Sequence, residues 1–222
     1  MPGDAVAQIA AEWVAGWCVS RGFEPPERVG NAFWSRPHED GRDRELLWAN
    51  PDEPIDADLL ATIGASATPT WVTVATHDVS TMQGTLAERG VVPAGWPEWL
   101  MSVALDSLPD AACPDGFDCR LDQRGQVIFA EIRTADNQLA ASGQLALSPG
   151  GGAVADRIVT EEAFRRRGLG RHLMARLNAA ARAAGATHGL LIASSDGHAL
   201  YQALGWTTCC DVVVARNGAA MA

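Results

Sequence analysis

The chain has 222 residues, 47% hydrophobic and 20% charged, enough to enclose a core in one large domain or two small ones. Its formal charge of −10 excludes a chain built as a whole to hold nucleic acid or an anionic membrane. All 17 cationic side chains are arginine, which removes a Walker phosphate loop, a pyridoxal Schiff base and every other lysine chemistry.

In the first half, Asp4 is placed to cap a helix in which Val6, Ile9, Ala10, Trp13, Val14 and Trp17 recur at helical spacing, closed by Gly22. Strand-like pieces follow at Ala32–Ser35 and Glu45–Ala49, then a turn at 51–54 and a short helix over Asp56–Ile63. Trp71–Thr76 reads as a strand by β-branched content and Ser80–Glu88 as a helix stopped by Gly90. Pro97 suits the first position of a further helix, with Trp99, Leu100 and Val103 on one face. The punctuated stretch Leu108–Phe117 marks a boundary between an acidic region, 1–110, and a second domain, 117–222.

Beyond the boundary the pattern turns to strands: Gln126–Thr134 and Leu139–Leu147 around a turn, then Val154–Thr160. A helix over 168–184, a buried strand at Gly189–Ala193, a short helix at His198–Leu204 and a last strand at Thr207–Ala215 complete an α/β (α+β) reading. Charge divides along the same line. Up to residue 116 there are 18 acidic residues against 6 arginines, a charge of −12; the remainder, with 9 against 11, carries +2. That division suits an enzyme with one anionic and one cationic substrate, and equally a solvated acidic surface.

The five cysteines show no zinc spacing and read as reduced thiols. His188 and His198 with Cys209 and Cys210 fall on separate elements, so no metal is expected. The first twenty residues include Asp4 and Glu12 and no basic region, unlike a signal peptide, and no apolar run is long enough to span a bilayer; a cytoplasmic protein without membrane contact is expected.

The chemistry concentrates at Val159–Gly170, VTEEAFRRRGLG, which joins a strand to a helix. Gly168 and Gly170 let backbone N–H groups approach a ligand at a helix N-terminus, and Arg165, Arg166, Arg167 and Arg171 add charge-assisted donors. The pattern suits phosphate, although the same residues also make an ordinary strand–helix turn with solvated arginines. Leu173 stands where a dinucleotide fingerprint needs a third glycine.

Arg165-Arg166-Arg167-Gly168-Leu169-Gly170 resembles the Arg/Gln-x-x-Gly-x-Gly/Ala signature of the GNAT N-acetyltransferase superfamily. The run from Leu190 to Trp206, with Ser195 at its centre and Leu200-Tyr201-Gln202-Ala203-Leu204-Gly205-Trp206 at its end, is similar to that family's next strand and helix. The resemblance spans about 126–216 and implies a mixed sheet flanked by helices, with acetyl-CoA as co-substrate and no metal. It implies transfer of an acetyl group to a primary amine of a small molecule or peptide by direct attack; the acidic first half suits a cationic one. A non-catalytic acyl-CoA-binding or regulatory module on the same fold is the rival reading.

By resemblance, Arg165–Arg171 bind the pyrophosphate, Ile158, Val159 and Thr160 pair with the pantetheine arm, Ser195 also binds the cofactor, and Tyr201, the only tyrosine, protonates the leaving thiolate. Asp156, Glu161 and Glu131 are the candidates for the base that deprotonates the amine. Ser195-Asp196-Gly197-His198 lies too close together in sequence for a hydrolytic triad. Trp13, Trp17, Trp34, Trp48, Trp71, Trp96 and Trp99 either pack a core or line an acceptor pocket. The first half is either a degenerate GNAT-like unit or a source of the acceptor-side helices that 126–216 lacks.

Overall fold

The computed structural model describes residues 1–108 and 111–221. Val6, Ala10, Trp13, Val14 and Trp17 form the buried face of α1 (Gly3–Arg21). The residue before its first turn is Pro2 and no side chain caps it. Asp4 lies inside that turn, where its carboxylate complements the helix dipole without capping. Strands β1 (Glu27–Val29), β2 (Ala32–Ser35) and β3 (Arg44–Trp48) follow. The Asp56 carboxylate accepts from the backbone N–H groups of Asp58 and Leu59 and so caps α2 (Ala57–Gly64). Next come β4 (Thr70–Thr76), α3 (Val79–Glu88), β5 (Val91–Pro93) and β6 (Glu98–Ala104).

Strand β6 replaces the helix expected after Pro97. Trp99, Met101 and Val103 enter one core cluster and Leu100, between Glu98 and Ser102 on the opposite face, enters another, so both faces contribute to the core. Such a strand has no alternation to set it apart from a helix, and here tertiary pairing decides.

The second half contains β7 (Phe117–Arg124), β8 (Val127–Thr134), β9 (Leu139–Leu147), β10 (Gly152–Thr160) and α4 (Leu169–Ala183). It ends with β11 (His188–Ser194), α5 (Ser195–Ala203) and β12 (Thr207–Asn217). Strand β7 lies ahead of the first strand expected from the sequence. It is a largely exposed edge on which Phe117 and Cys119 alternate with polar residues and are only partly buried against the core. Helix α5 starts at Ser195, three residues before the expected position.

The strands form a single sheet in the order β1-β2-β3-β4-β12-β6-β11-β10-β9-β8-β7, with β5 also on β12. In each half a parallel pair, β3–β4 or β10–β11, encloses a helix and is followed by another. The last strands are then exchanged: β6 lies antiparallel to β11, and β12 antiparallel to β4, with β6 and β12 paired at the centre. The boundary expected at 108–117 falls between β6 and β7, and its residues 109 and 110 lie outside the described residues.

Helix α1 covers one face, packed on Leu190, Val154, Val212 and Val214. On the other face Leu191 and Ala193 meet the core under α4 and α5, while Val72, Val74, Val213 and Ala215 meet that under α2 and α3. The two parallel pairs differ in one respect. β3 stays paired with β4 along its whole length, but β10 and β11 pair only at Gly152–Val154 with His188–Leu190 and then part. The gap between them is where the arginine loop opens.

Candidate active site

A cleft of about 1040 Å³ fills that gap. One wall is the outer part of β10, where the register slips between Asp156 and Val159 and Arg157 takes a positive φ of 53°. Gly143 of β9 makes the bulge possible, because a Cβ there would meet Ile158 Cδ1 at 2.5 Å. The bulge takes 157–158 out of the antiparallel ladder, while Val159 and Thr160 stay paired with Ser142 and Ala141 of β9; all four residues line the cleft.

The floor is the start of α4. Gly168, at φ 79°, precedes the helix and no side chain caps it, so its first N–H groups stay open to a ligand. Arg165, Arg166 and Arg171 line the cleft with Leu169 and Gly170, concentrating positive charge in an acidic protein. The corresponding helix of the first half, α2, is closed by its own Asp56 and begins with acidic residues. Open helix dipole, glycines and three arginines fit a linked pair of phosphates; the α2 terminus does not.

The structure brings most of the expected residues together. Ile158, Val159, Thr160, Arg165, Arg166, Gly168, Leu169, Gly170, Arg171 and Tyr201 all line the cleft. Two stand apart from its lining. Arg167 lies over the Phe164 ring at 5.5 Å and donates to the Ala163 carbonyl at 3.3 Å; Ser195 is exposed while its neighbours Ser194 and Asp196 line the cleft. Tyr201 is 7% exposed, and burial, helped by the negative charge of Asp156, pushes its phenol up to about 12. It is therefore a proton donor at any ordinary pH.

Among the three carboxylates first considered as bases, only Asp156 reaches the cleft. It accepts from Arg21 Nη2 at 2.9 Å and from Ser20 Oγ at 3.0 Å, which occupies it with α1. Glu131 is exposed on β8 and paired with Arg133, and Glu161 is exposed outside the lining. His198 stacks on Trp99 at 4.1 Å and bonds Thr208 at 3.0 Å, so it makes no relay with Ser195. No cluster of three metal-ligating side chains is found among the described residues.

The far end of the cleft comes from the first half. Trp13 and Trp17 of α1, Trp71 and Thr73 of β4, Trp96, Glu45, Glu98, Arg21 and Arg42 line it. Arg42 sits between two indoles, 5.2 Å from Trp17 and 5.0 Å from Trp71, and binds Glu45. Glu98, Glu45, Arg21 and Arg42 had no local motif to identify them; the helical spacing of Trp13 and Trp17 placed that pair on one face in advance.

Residues 123–208 match the family model described as an acetyltransferase (GNAT) domain. Solved structures share the fold over nearly the whole chain. A GCN5-related N-acetyltransferase from Kribbella flavida is similar at TM-score 0.71 and 17% identity, over 96% of this chain and 95% of that one. One from Sphaerobacter thermophilus gives 0.60 and 13%, over 98% and 93%. A tandem GNAT protein from the clavulanic acid biosynthesis pathway gives 0.58 and 13%, over 97% and 95%. No curated protein sequence matches the chain at a significant level. No helix among the described residues is long and apolar enough to cross a membrane.

Proposed function

We propose that this chain, whose residues 123–208 match the model of an acetyltransferase (GNAT) domain, is an acetyl-CoA-dependent N-acetyltransferase acting on a primary amine. The observation that carries the reading is the single cleft. It joins an uncapped, arginine-flanked helix N-terminus to a buried phenol and then to an indole-lined chamber.

When bound, acetyl-CoA supplies an electrophilic thioester carbonyl and a thiolate leaving group. Arg165, Arg166, Arg171 and the first N–H groups of α4 hold its pyrophosphate. The bulged backbone of Ile158–Thr160 holds the pantetheine arm and offers N–H donors to the carbonyl oxygen, which gains negative charge during attack. Tyr201 donates its proton to the departing sulfur. The acceptor enters from the end lined by Trp13, Trp17, Trp71 and Trp96. The amine attacks directly: among the described residues no cysteine or histidine lines the cleft, and Thr73, the hydroxyl that donates to a lining carboxylate, serves to hold Glu45.

In this reading the first half is a second GNAT-like unit that has lost its cofactor cradle and now serves the acceptor. The strand exchange and the full pairing of β3 with β4 support it. A thiol-release assay with acetyl-CoA over a panel of amines, diamines, aminoglycosides and peptides tests the activity. Coenzyme A binding without thiol release on any amine would instead indicate a non-catalytic binding module.

A further inference from the structure

Glu98 lies where the two halves exchange strands. It is the first residue of β6, its register partners are Ser194 on β11 and Val212 on β12, and it lines the cleft. Glu45, Glu98, Asp156 and Asp196 are the carboxylates of that lining, and they are not equivalent. Glu45 is held by Arg42 and by Thr73 Oγ1, which donates at 2.7 Å. Asp156 is held by Arg21 and Ser20. Asp196 stands exposed at the start of α5. Glu98 is half-buried, and no ion pair reaches it among the described residues. Ser194, opposite it, directly precedes the helix that carries Tyr201.

Resting on the acetyltransferase reading, we propose that Glu98 is the base that takes the proton of the acceptor amine, so that the first half of the chain supplies a catalytic group to the cofactor cleft of the second. The amine arrives as an ammonium ion and loses one proton to solvent. The freed lone pair forms the C–N bond and the C–S electron pair leaves with sulfur. Glu98 accepts the second nitrogen proton while Tyr201 gives its proton to the thiolate. Glu98 then releases its proton, Tyr201 regains one from solvent, and the products are an amide, a thiol and one proton.

The surroundings of Glu98 suit that task. Burial raises its carboxyl to about 7; the Trp96 side chain, as hydrogen-bond donor, and Arg42 oppose the rise, while Glu45 adds to it. The cleft-facing neighbours on β11 are Ile192 and Ser194, on β12 Val214 and on α1 Trp13 and Trp17, none of them charged. The other charges of the lining are Arg21 and Asp156, which are paired with each other, the exposed Asp196, and Arg157, Arg165, Arg166 and Arg171. A base titrating near the working pH combines a populated carboxylate with useful proton affinity.

Glu98→Gln keeps the shape and removes the proton acceptor. It should bind coenzyme A with wild-type affinity and lose about 10²–10⁴-fold in kcat at neutral pH, with the acidic limb of the rate profile near pH 7 flattened. Carbon NMR of carboxyl-labelled glutamate, assigned by difference against this variant, should show one carboxyl titrating near pH 7 in the resting protein. Wild-type-like turnover and pH profile in Glu98→Gln would overturn the base assignment alone, as would an ordinary carboxylate titration for Glu98. Coenzyme A binding with no acetyl transfer by the unaltered chain would overturn the acetyltransferase reading and this assignment with it.

Discussion

Arg21, the last residue of α1, and Asp156, at the bulge of β10, are joined by a hydrogen bond of 2.9 Å across 135 residues of chain. The pair fixes the helix that carries Trp13 and Trp17 against the strand that holds the pantetheine arm in the proposed complex. Both side chains are largely enclosed, at 19% and 11% exposure, so removing either partner strands a charge. Arg21→Ala and Asp156→Asn should each cost about 1–3 kcal/mol in denaturant unfolding. A double variant should be less destabilised than the sum of the singles, since the second change removes a group already left unpaired.

Gly170 faces the cleft with little room behind it, since a Cβ there would meet Leu200 Cδ2 at 3.1 Å. Gly170→Val should fold, because a helical φ suits valine, but close the approach to the α4 N-terminus. Calorimetry should then find coenzyme A binding weakened by more than tenfold. Unchanged affinity would remove the pyrophosphate assignment.

Tyr201→Phe keeps the buried ring against Trp206 and removes the proton donor. Turnover should fall about 10²–10⁴-fold where thiolate expulsion limits the rate, with little change in acetyl-CoA affinity. Because burial holds the phenol near 12, the wild type should keep its donor throughout the neutral range. The deficit of the variant should narrow as pH rises past about 8.5, where a free thiol ionises unaided. A steady-state pH profile of both proteins reads this directly.

Glu12 of α1 accepts from Gly152 N–H at 2.9 Å and bonds His188 Nε2 at 2.9 Å and Ser148 Oγ, tying α1 to β10 and β11. Burial raises its pKa, but the bonds to Ser148, His188 and Gly152 outweigh that and leave it below its usual 4.5. A depressed folded pKa gives stability that is complete above the unfolded value and lost as pH falls through the folded one. Glu12→Gln should therefore melt a few degrees below wild type at neutral pH. The gap should close as melts are repeated below pH 4.5.

Strand exchange predicts that neither half is complete by itself. A protein cut by protease in the 108–117 connection should remain one particle by size-exclusion chromatography, since β6 stays paired with β11 and β12. Urea should separate the halves only with loss of secondary structure.

The arginine-flanked start of α4 was legible in the sequence because its determinants are local. Two glycines and neighbouring arginines at a strand–helix junction define it within the span Val159–Arg171, and Leu190–Trp206 confirms the order of elements. The hairpin β8–β9, the buried stripe of α4 and the indole face of α1 follow equally from short-range periodicity. The far end of the cleft was not legible. Glu98 sits in a segment whose residues Trp99, Leu100 and Val103 suit a helix face as well as a strand buried on both sides. Only pairing with β11 and β12, far along in the chain, makes it a strand and brings its carboxylate to the cleft. Asp156 was found by its position on β10, but its engagement with Arg21 depends on how α1 lies across the sheet. Local sequence determined where glycines and arginines gather at a helix start; long-range pairing decided which carboxylate reaches the same cleft without an ion pair among the described residues, because a β-strand's partners are not encoded in its own period.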